Sequence, residues 1–355
     1  MDHRDDAGSW AAPGAPEPAA APAQVPAASS RPIGAPPVPT MPTQASWQPG
    51  FMPLRPLTFG DFLGHPFRAM RYNRGVIVGG PLAFTLVATL ATTASMWLLF
   101  TDPSLALLDP MATSTTISST TVAVTVLAVV AALLADVFSS AIVAPGVARG
   151  VLGERITLGE AWRAVRPRIG ALLLLYVIAT SALLLAFVPG VAVLIGGAAS
   201  DSIGTTLLGL LLMLVLGIPA GVAVSTIGGI ARPTLVLERR SAVSAIRRSL
   251  TLIRGRFWWS ILIVFVATVI IGLVSSVIQQ VGSLGAVLVA AAFPDNLLVL
   301  GIAFFTVTAL SLVVSYVLTY AYLGAVFTLL HIDLRMRHEG FDLTLAEAAE
   351  ARRAA

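Results

Sequence analysis

The sequence predicts an all-α membrane protein: six transmembrane helices in three hairpins, with amphipathic helices at the cytoplasmic interface. Three observations carry that reading. First, the chain is 56% hydrophobic and only 11% charged, with a mean hydropathy of +0.87, whereas a soluble domain carries about 25% charged residues to keep a polar surface. Second, six apolar segments are each long enough to cross roughly 30 Å of hydrocarbon. Third, the basic residues alternate along the chain. All 22 of the Lys-or-Arg positions are arginine, and 20 of them lie in four stretches, Arg55–Arg74, Arg149–Arg168, Arg232–Arg256 and Arg335–Arg353. The polar gaps around Asp102–Asp109, Asp201 and Asp295 hold no basic residue. Basic loops are retained on the cytoplasmic side, so both termini are expected there. Arginine without lysine, beside abundant Ala and Pro, fits a GC-rich bacterial genome and hence a bacterial cell membrane.

Residues 1–53 are expected to form a disordered Pro/Ala-rich cytoplasmic tail. Residues 1–50 hold 11 of the 23 prolines, which removes backbone donors and leaves no apolar face to bury. No apolar run follows Met1-Asp-His-Arg-Asp-Asp, so a signal peptide is not expected here. The transmembrane domain is expected over 54–343, with a short C-terminal cytoplasmic helix over 344–355. Its apolar segments are Val76–Phe100, Thr121–Ala148, Gly170–Ala199, Ile203–Ile230, Phe257–Gln279 and Leu297–Ile332. The last is too long for one perpendicular span, so part of it should tilt or lie at an interface. Val281–Phe293 is too short to span and reads as interfacial, re-entrant or a helix extension. Pro81, Pro189 and Pro219 are expected to kink their helices. Gly75-Val-Ile-Val-Gly79, Gly146-Val-Ala-Arg-Gly150 and Gly217-Ile-Pro-Ala-Gly221 have the small-residue spacing that lets helices approach closely.

An internal repeat underlies the basic stretches. Gly146-Val-Ala-Arg149 recurs as Gly229-Ile-Ala-Arg232, and Thr58-Phe-Gly-Asp61 recurs as Thr157-Leu-Gly-Glu160 and Thr344-Leu-Ala-Glu347. A Thr with an acid three residues on is a helix N-terminal signal, because both side chains accept orphan backbone N–H bonds. Ser241-Ala-Val-Ser244 is a degenerate copy in which Ser can still cap. Behind the first two caps, Phe59, Phe62, Leu63, Phe67 and Met70, then Leu158, Ala161, Trp162, Val165 and Ile169, keep helical spacing. The arginines fall on the other side. This predicts interfacial helices with apolar sides in the acyl boundary and Arg68, Arg71, Arg74, Arg163, Arg166, Arg247 and Arg248 among lipid headgroups. Pro66 should bend the first of them. Trp258-Trp259 reads as an interfacial anchor.

Leu54-Arg-Pro-Leu-Thr-Phe-Gly-Asp-Phe-Leu63, followed by Phe67-Arg-Ala-Met-Arg71, resembles the entry segment of the glycerophosphoryl diester phosphodiesterase membrane-domain family, common in actinobacterial integral membrane proteins. Leu330-His-Ile-Asp-Leu-Arg-Met-Arg-His-Glu-Gly-Phe-Asp342 is similar to that family's closing segment, which usually has an aromatic where His331 stands. The resemblance covers about residues 54–343. In some relatives this membrane domain precedes a soluble phosphodiesterase barrel. Here the barrel is expected to be absent, and the resemblance brings no catalytic residues.

Candidate chemistry is sparse. Asp136 is the only acid deep in a span, about 20 Å along the helix from Arg149, and so is expected near mid-bilayer as a neutral carboxyl or with a polar partner. Ser139 and Ser140 could share its surroundings. Thr308, Ser311, Ser315, Thr319 and Tyr322 form a polar stripe on the sixth span, and Thr85, Thr89 and Thr92 a shorter one on the first. These stripes either line a hydrated path or bond their own preceding carbonyls and neighbouring helices. His331, Asp333, His338 and Glu339 match no metal-ligand spacing, and Arg335 and Arg337 are expected to face the helix-end dipole. The chain has no cysteine, and no hydrolase, P-loop or dinucleotide motif occurs. The expectation is a non-enzymatic membrane domain, without cofactor or metal, that contacts membrane lipids and a partner protein or a second copy, and no nucleic acid. The alternative is a small-molecule, ion or lipid-like transporter using Asp136 and the polar faces.

Overall fold

The computed structural model describes residues 50–53, 55–101, 118–293 and 297–340. The expected tail before Gly50, the capping pattern Thr344–Glu347 and the helix over 344–355 lie outside the described residues. The elements are α1 (Phe59–Tyr72), α2 (Arg74–Ile77), α3 (Gly79–Thr101), α4 (Ser119–Val151), α5 (Leu158–Val165), α6 (Ile169–Ala199), α7 (Ile203–Leu237), α8 (Ala242–Ile253), α9 (Phe257–Ala292) and α10 (Leu297–Glu339). A 3-10 turn, Arg166–Arg168, leads from α5 into α6. Among the described residues, α3, α4, α6, α7, α9 and α10 are long and apolar enough to cross a membrane.

The most extensive contacts are between α6 and α7, α3 and α4, and α9 and α10. α10 also lies against α4 and α3, so that these two and α9 gather around it. The α6–α7 pair joins them through contacts of α7 with α4 and α10. Its own contact is unusually close. A Cβ on Gly209 would lie 2.5 Å from the Leu194 backbone nitrogen, and one on Gly197 2.5 Å from that of Thr206. Three residues connect the two helices, and Asp201 turns the chain there with φ 49°, a conformation that a short polar side chain tolerates.

Buried side chains crowd the end that carries the arginines. Every residue from Val137 to Val147 of α4 is buried, as are nearly all from Ala321 to Leu334 of α10. The other halves of the long helices are exposed, with Leu214 at 58% and Leu310 at 65%. The reason is that α1, α2, α5 and α8 dock on the basic end. Phe62, Ala69 and Met70 of α1 and Leu252 and Ile253 of α8 join one core with Val143 and Val147 of α4 and Ala325 to Leu334 of α10. Ala161 of α5 packs with Val76 and Ile142, and Val165 with Val137 and Leu172. Much of the apolar side of these short helices therefore faces protein, while Phe67 and Leu158 remain 38% exposed. Burial against helix ends removes the same apolar area from water as lipid would.

Further expectations can be set against the helices. The last apolar segment lies in one helix, α10, of 43 residues, whose basic third is covered by protein. Val281–Phe293 is a helix extension, since α9 runs to Ala292. Pro81 lies in the first turn of α3, where its missing N–H has no intrahelical partner to lose. Pro66 lies inside α1, which continues past it.

The caps differ in quality. Thr157 and Glu160 form the full reciprocal box, with Thr157 N–H donating to Glu160 Oε2 at 2.7 Å and Glu160 N–H to Thr157 Oγ1 at 3.3 Å. At α1 the Asp61 carboxylate accepts the Thr58 N–H at 2.9 Å and the Thr58 hydroxyl at 2.8 Å. Ser241 does not cap α8: its hydroxyl donates to Ser244 Oγ instead. Burial works against the Asp61 charge, but the Thr58 donors, His65 and Arg55 outweigh it and hold the carboxyl below its usual range. A lowered carboxyl pKa stabilises the fold above the unfolded value of about 3.9 and loses that contribution as pH falls through the folded value. Asp61→Asn is expected to cost about 1 kcal/mol at neutral pH and to flatten the fall in melting temperature between about pH 4 and pH 2. An acid limb identical to that of the unaltered protein would refute the role of the charge.

Candidate functional site

α4, α7 and α10 bring the one deep acid of the sequence to a cation. Arg232 of α7 donates to Asp136 Oδ2 at 3.2 Å and to Ser140 Oγ at 2.7 Å. The Ser140 hydroxyl in turn donates to the Asp136 carbonyl at 2.9 Å, one turn back on α4. Tyr320 of α10 faces the same carboxylate and is stacked on Tyr316, with ring centroids 6.1 Å apart. Side-chain exposure is 25% for Arg232 and 30% for Asp136, so the pair is partly desolvated. Ser139, although buried, has no hydrogen-bond partner for its hydroxyl among the described residues. The expected polar partner of Asp136 is thus a full countercharge. The repeat explains its origin. Gly146 and Gly229 both sit at helix crossings, where a Cβ would meet Val76 at 2.9 Å and Phe327 at 2.2 Å. The arginine three residues on has diverged: Arg149 pairs with Glu154 at 2.6 Å, while Arg232 turns inward to Asp136. Sequence reading missed Arg232 as the partner. The available signal was a lone acid within one apolar segment and an arginine just past the end of another, where charges pair.

The hydroxyls of the polar stripes bond a neighbouring helix or their own preceding carbonyls. Ser275 of α9 and Thr319 of α10 share a hydrogen bond of 3.1 Å, Thr319 also donates to the Ser315 carbonyl at 2.8 Å, and Ser315 reaches the Ser275 carbonyl at 3.5 Å. Ser311 donates to the Val307 carbonyl at 2.9 Å and packs where a Cβ on Gly282 would sit. Thr85 donates to the Pro81 carbonyl at 2.8 Å, and Thr92 to that of Ala88. Thr89 is buried beside them. Open grooves are lined by parts of α1 to α3, by the α6–α7 turn, and by α7 with α9; Asp136, Thr85 and Ser315 line none of these three.

A second polar centre lies at the basic end. Glu238, just after α7, meets Arg240 at 2.8 Å, Arg248 at 3.4 Å, His331 at 3.5 Å and Arg335 at 3.7 Å. Glu339 pairs with Arg335 at 3.0 Å and with Arg248. Fully buried His331 also shares a hydrogen bond of 3.1 Å with Thr234. Asp333, 1% exposed, accepts the Leu57 N–H at 2.7 Å and pairs with Arg337 at 2.8 Å, and Arg337 donates to the Leu57 carbonyl at 2.8 Å. The alternating His331, Asp333, Arg335 and Arg337 therefore clamp two segments, the α7–α8 corner and the chain before α1. The sequence reading had assigned these arginines to the helix-end dipole. Glu238 was also missed, although it is the one acid between Asp201 and Asp295, amid seven arginines. Among the described residues, no group of three metal-ligating side chains forms.

Of the arginines expected at headgroups, Arg68, Arg71, Arg74, Arg163, Arg166 and Arg247 are exposed and make no ion pair among the described residues. Arg248 differs, being turned to Glu238 and Glu339. The tryptophan pair also divides: Trp258 is 79% exposed, whereas Trp259 packs on Phe59 with ring centroids 5.7 Å apart. No family model, curated protein or solved structure matches the chain.

Proposed function

We propose that this chain is a multi-pass, non-enzymatic domain of a bacterial cell membrane, built of three helical hairpins with the basic end in the cytoplasm. There it grips anionic lipid headgroups and offers a surface to a partner protein. The observation that carries this is the division of the charges. Asp136, Glu238, Asp333 and Glu339 are consumed by arginines inside the fold. Six exposed arginines on α1, α2, α5, the turn after it and α8 are left without a carboxylate. Arginines near an anionic surface each contribute about 1 kcal/mol. The entry and closing segments that resemble the phosphodiesterase membrane-domain family support one architecture, because they meet at Leu57 and Asp333. The lipid-facing lengths of α6 and α7 suit either acyl chains or a second copy.

Topology reporters test the arrangement. A fusion after Asp201 is expected to read outside and one after Arg240 inside, and the reverse pattern would overturn the orientation on which the headgroup role depends. A transporter is the second reading, favoured by the partial exposure of the Asp136–Arg232 pair. Solute or proton flux in vesicles that disappears in Asp136→Asn would replace the first reading with the second.

A further inference from the structure

We propose that the groove between the second half of α1 and the start of α3 holds one anionic phospholipid, with its phosphate on Arg71 and Arg74 and its glycerol and upper acyl chain on an apolar wall. This rests on the headgroup reading above and narrows it from a belt to a site. The groove has a volume of about 460 Å³. Arg71 lies in the last turn of α1 and Arg74 begins α2 after Asn73, and both line the groove. Neither has an ion pair among the described residues, and two guanidinium groups on one groove favour a phosphate, which their donors match. The wall is Phe67, Met70 and Val78. Phe67 is held in place by Tyr322, with ring centroids 4.9 Å apart, while leaving 38% of its surface open.

Two further features point to a built site. The corner is pinned, since Asn73 is buried and donates its side-chain amide to the Ile156 carbonyl at 3.2 Å and its backbone N–H to that of Ala69 at 3.1 Å. The Gly75–Gly79 spacing, which the sequence suggested for helix contact, serves no such contact. A Cβ at Gly75 would meet nothing within 4 Å, and at Gly79 only the Arg74 carbonyl at 3.8 Å. By contrast, Gly146 and Gly217 of the other two motifs abut neighbouring side chains at 2.9 and 2.3 Å. Gly75 and Gly79 instead line the groove and keep it open. A soluble phosphate would use the arginines and leave the apolar wall wet. A neutral lipid would use the wall and leave the cations bare. The charge and shape together fit a phospholipid with a net negative head.

The test uses the full chain reconstituted in vesicles of equal phosphatidylglycerol and phosphatidylcholine, with lipid retained after extraction read by native mass spectrometry. The unaltered protein is expected to keep one phosphatidylglycerol. Arg71→Gln with Arg74→Gln should weaken that retention about thirtyfold, at about fivefold per arginine. Gly75→Leu, which fills the groove without an internal clash, should also lose the lipid. Arg254→Gln with Arg256→Gln, exposed arginines outside the headgroup set, should keep it. Equal losses from the two arginine pairs, or full retention in Arg71→Gln/Arg74→Gln at an unchanged melting temperature, would overturn the site and leave the headgroup belt standing. No preference of the unaltered protein for phosphatidylglycerol over phosphatidylcholine would overturn both.

Discussion

Replacing Gly209 with leucine is expected to separate α6 from α7 and to lower stability by at least about 3 kcal/mol. The added Cβ would lie 2.5 Å from the Leu194 backbone nitrogen and 2.7 Å from its Cα. A backbone cannot rotate aside as a side chain can, so the helices must part. In lipid no hydrophobic force draws them back, because helix association there depends on packing and hydrogen bonds. α6 and α7 also have little else to hold them: only 11% of either apolar window is buried. Gly204→Leu is the control, since a Cβ there meets nothing within 4 Å. Thermal unfolding in detergent should show a large loss for Gly209→Leu and almost none for Gly204→Leu. Equal melting temperatures for the two would mean the backbones do not approach as described.

The second large effect concerns the Asp136–Arg232 pair. Arg232→Gln leaves the Asp136 carboxylate without its countercharge and Ser140 without a donor. Breaking a fully buried pair costs several kcal/mol. With a quarter to a third of each side chain exposed, about 2 kcal/mol is expected here. Asp136→Asn should cost less, because Arg232 keeps Ser140 and can reach the amide oxygen. The double variant should recover much of the loss, giving a coupling of at least about 1 kcal/mol in a double-mutant cycle. Strict additivity of the two changes would show that the pair is not an energetic unit.

Much of the helix plan was legible because it depends on local pattern. The six long helices follow from apolar runs and their interruptions, and the Thr157–Glu160 box is formed as the motif implied. Ser241 failed as a cap because nothing in a four-residue pattern decides whether a hydroxyl turns to the helix N–H groups or to the next serine. Amphipathic spacing in α1 and α5 told which side was apolar, but not what it would face. Both lipid and protein satisfy the same periodicity. The candidate site was half legible. Asp136 stood out as a lone acid in an apolar run, whereas its partner lies 96 residues away and is specified only by how α4 and α7 cross.

The sequence by itself determined six apolar helices, the basic segregation and the residues that had to find partners. These follow from transfer energies and helical periodicity, which act within a few turns of chain. Only the tertiary structure decided that Arg232 neutralises Asp136 and that Glu238 gathers the arginines of α8 and α10. It also decided that Asp333 straps Leu57 to the end of α10, and that Gly75 lines a groove while Gly146 closes a helix contact. Those outcomes depend on helix register and crossing, and a shift of one residue along a helix turns a side chain about 100° away from its partner.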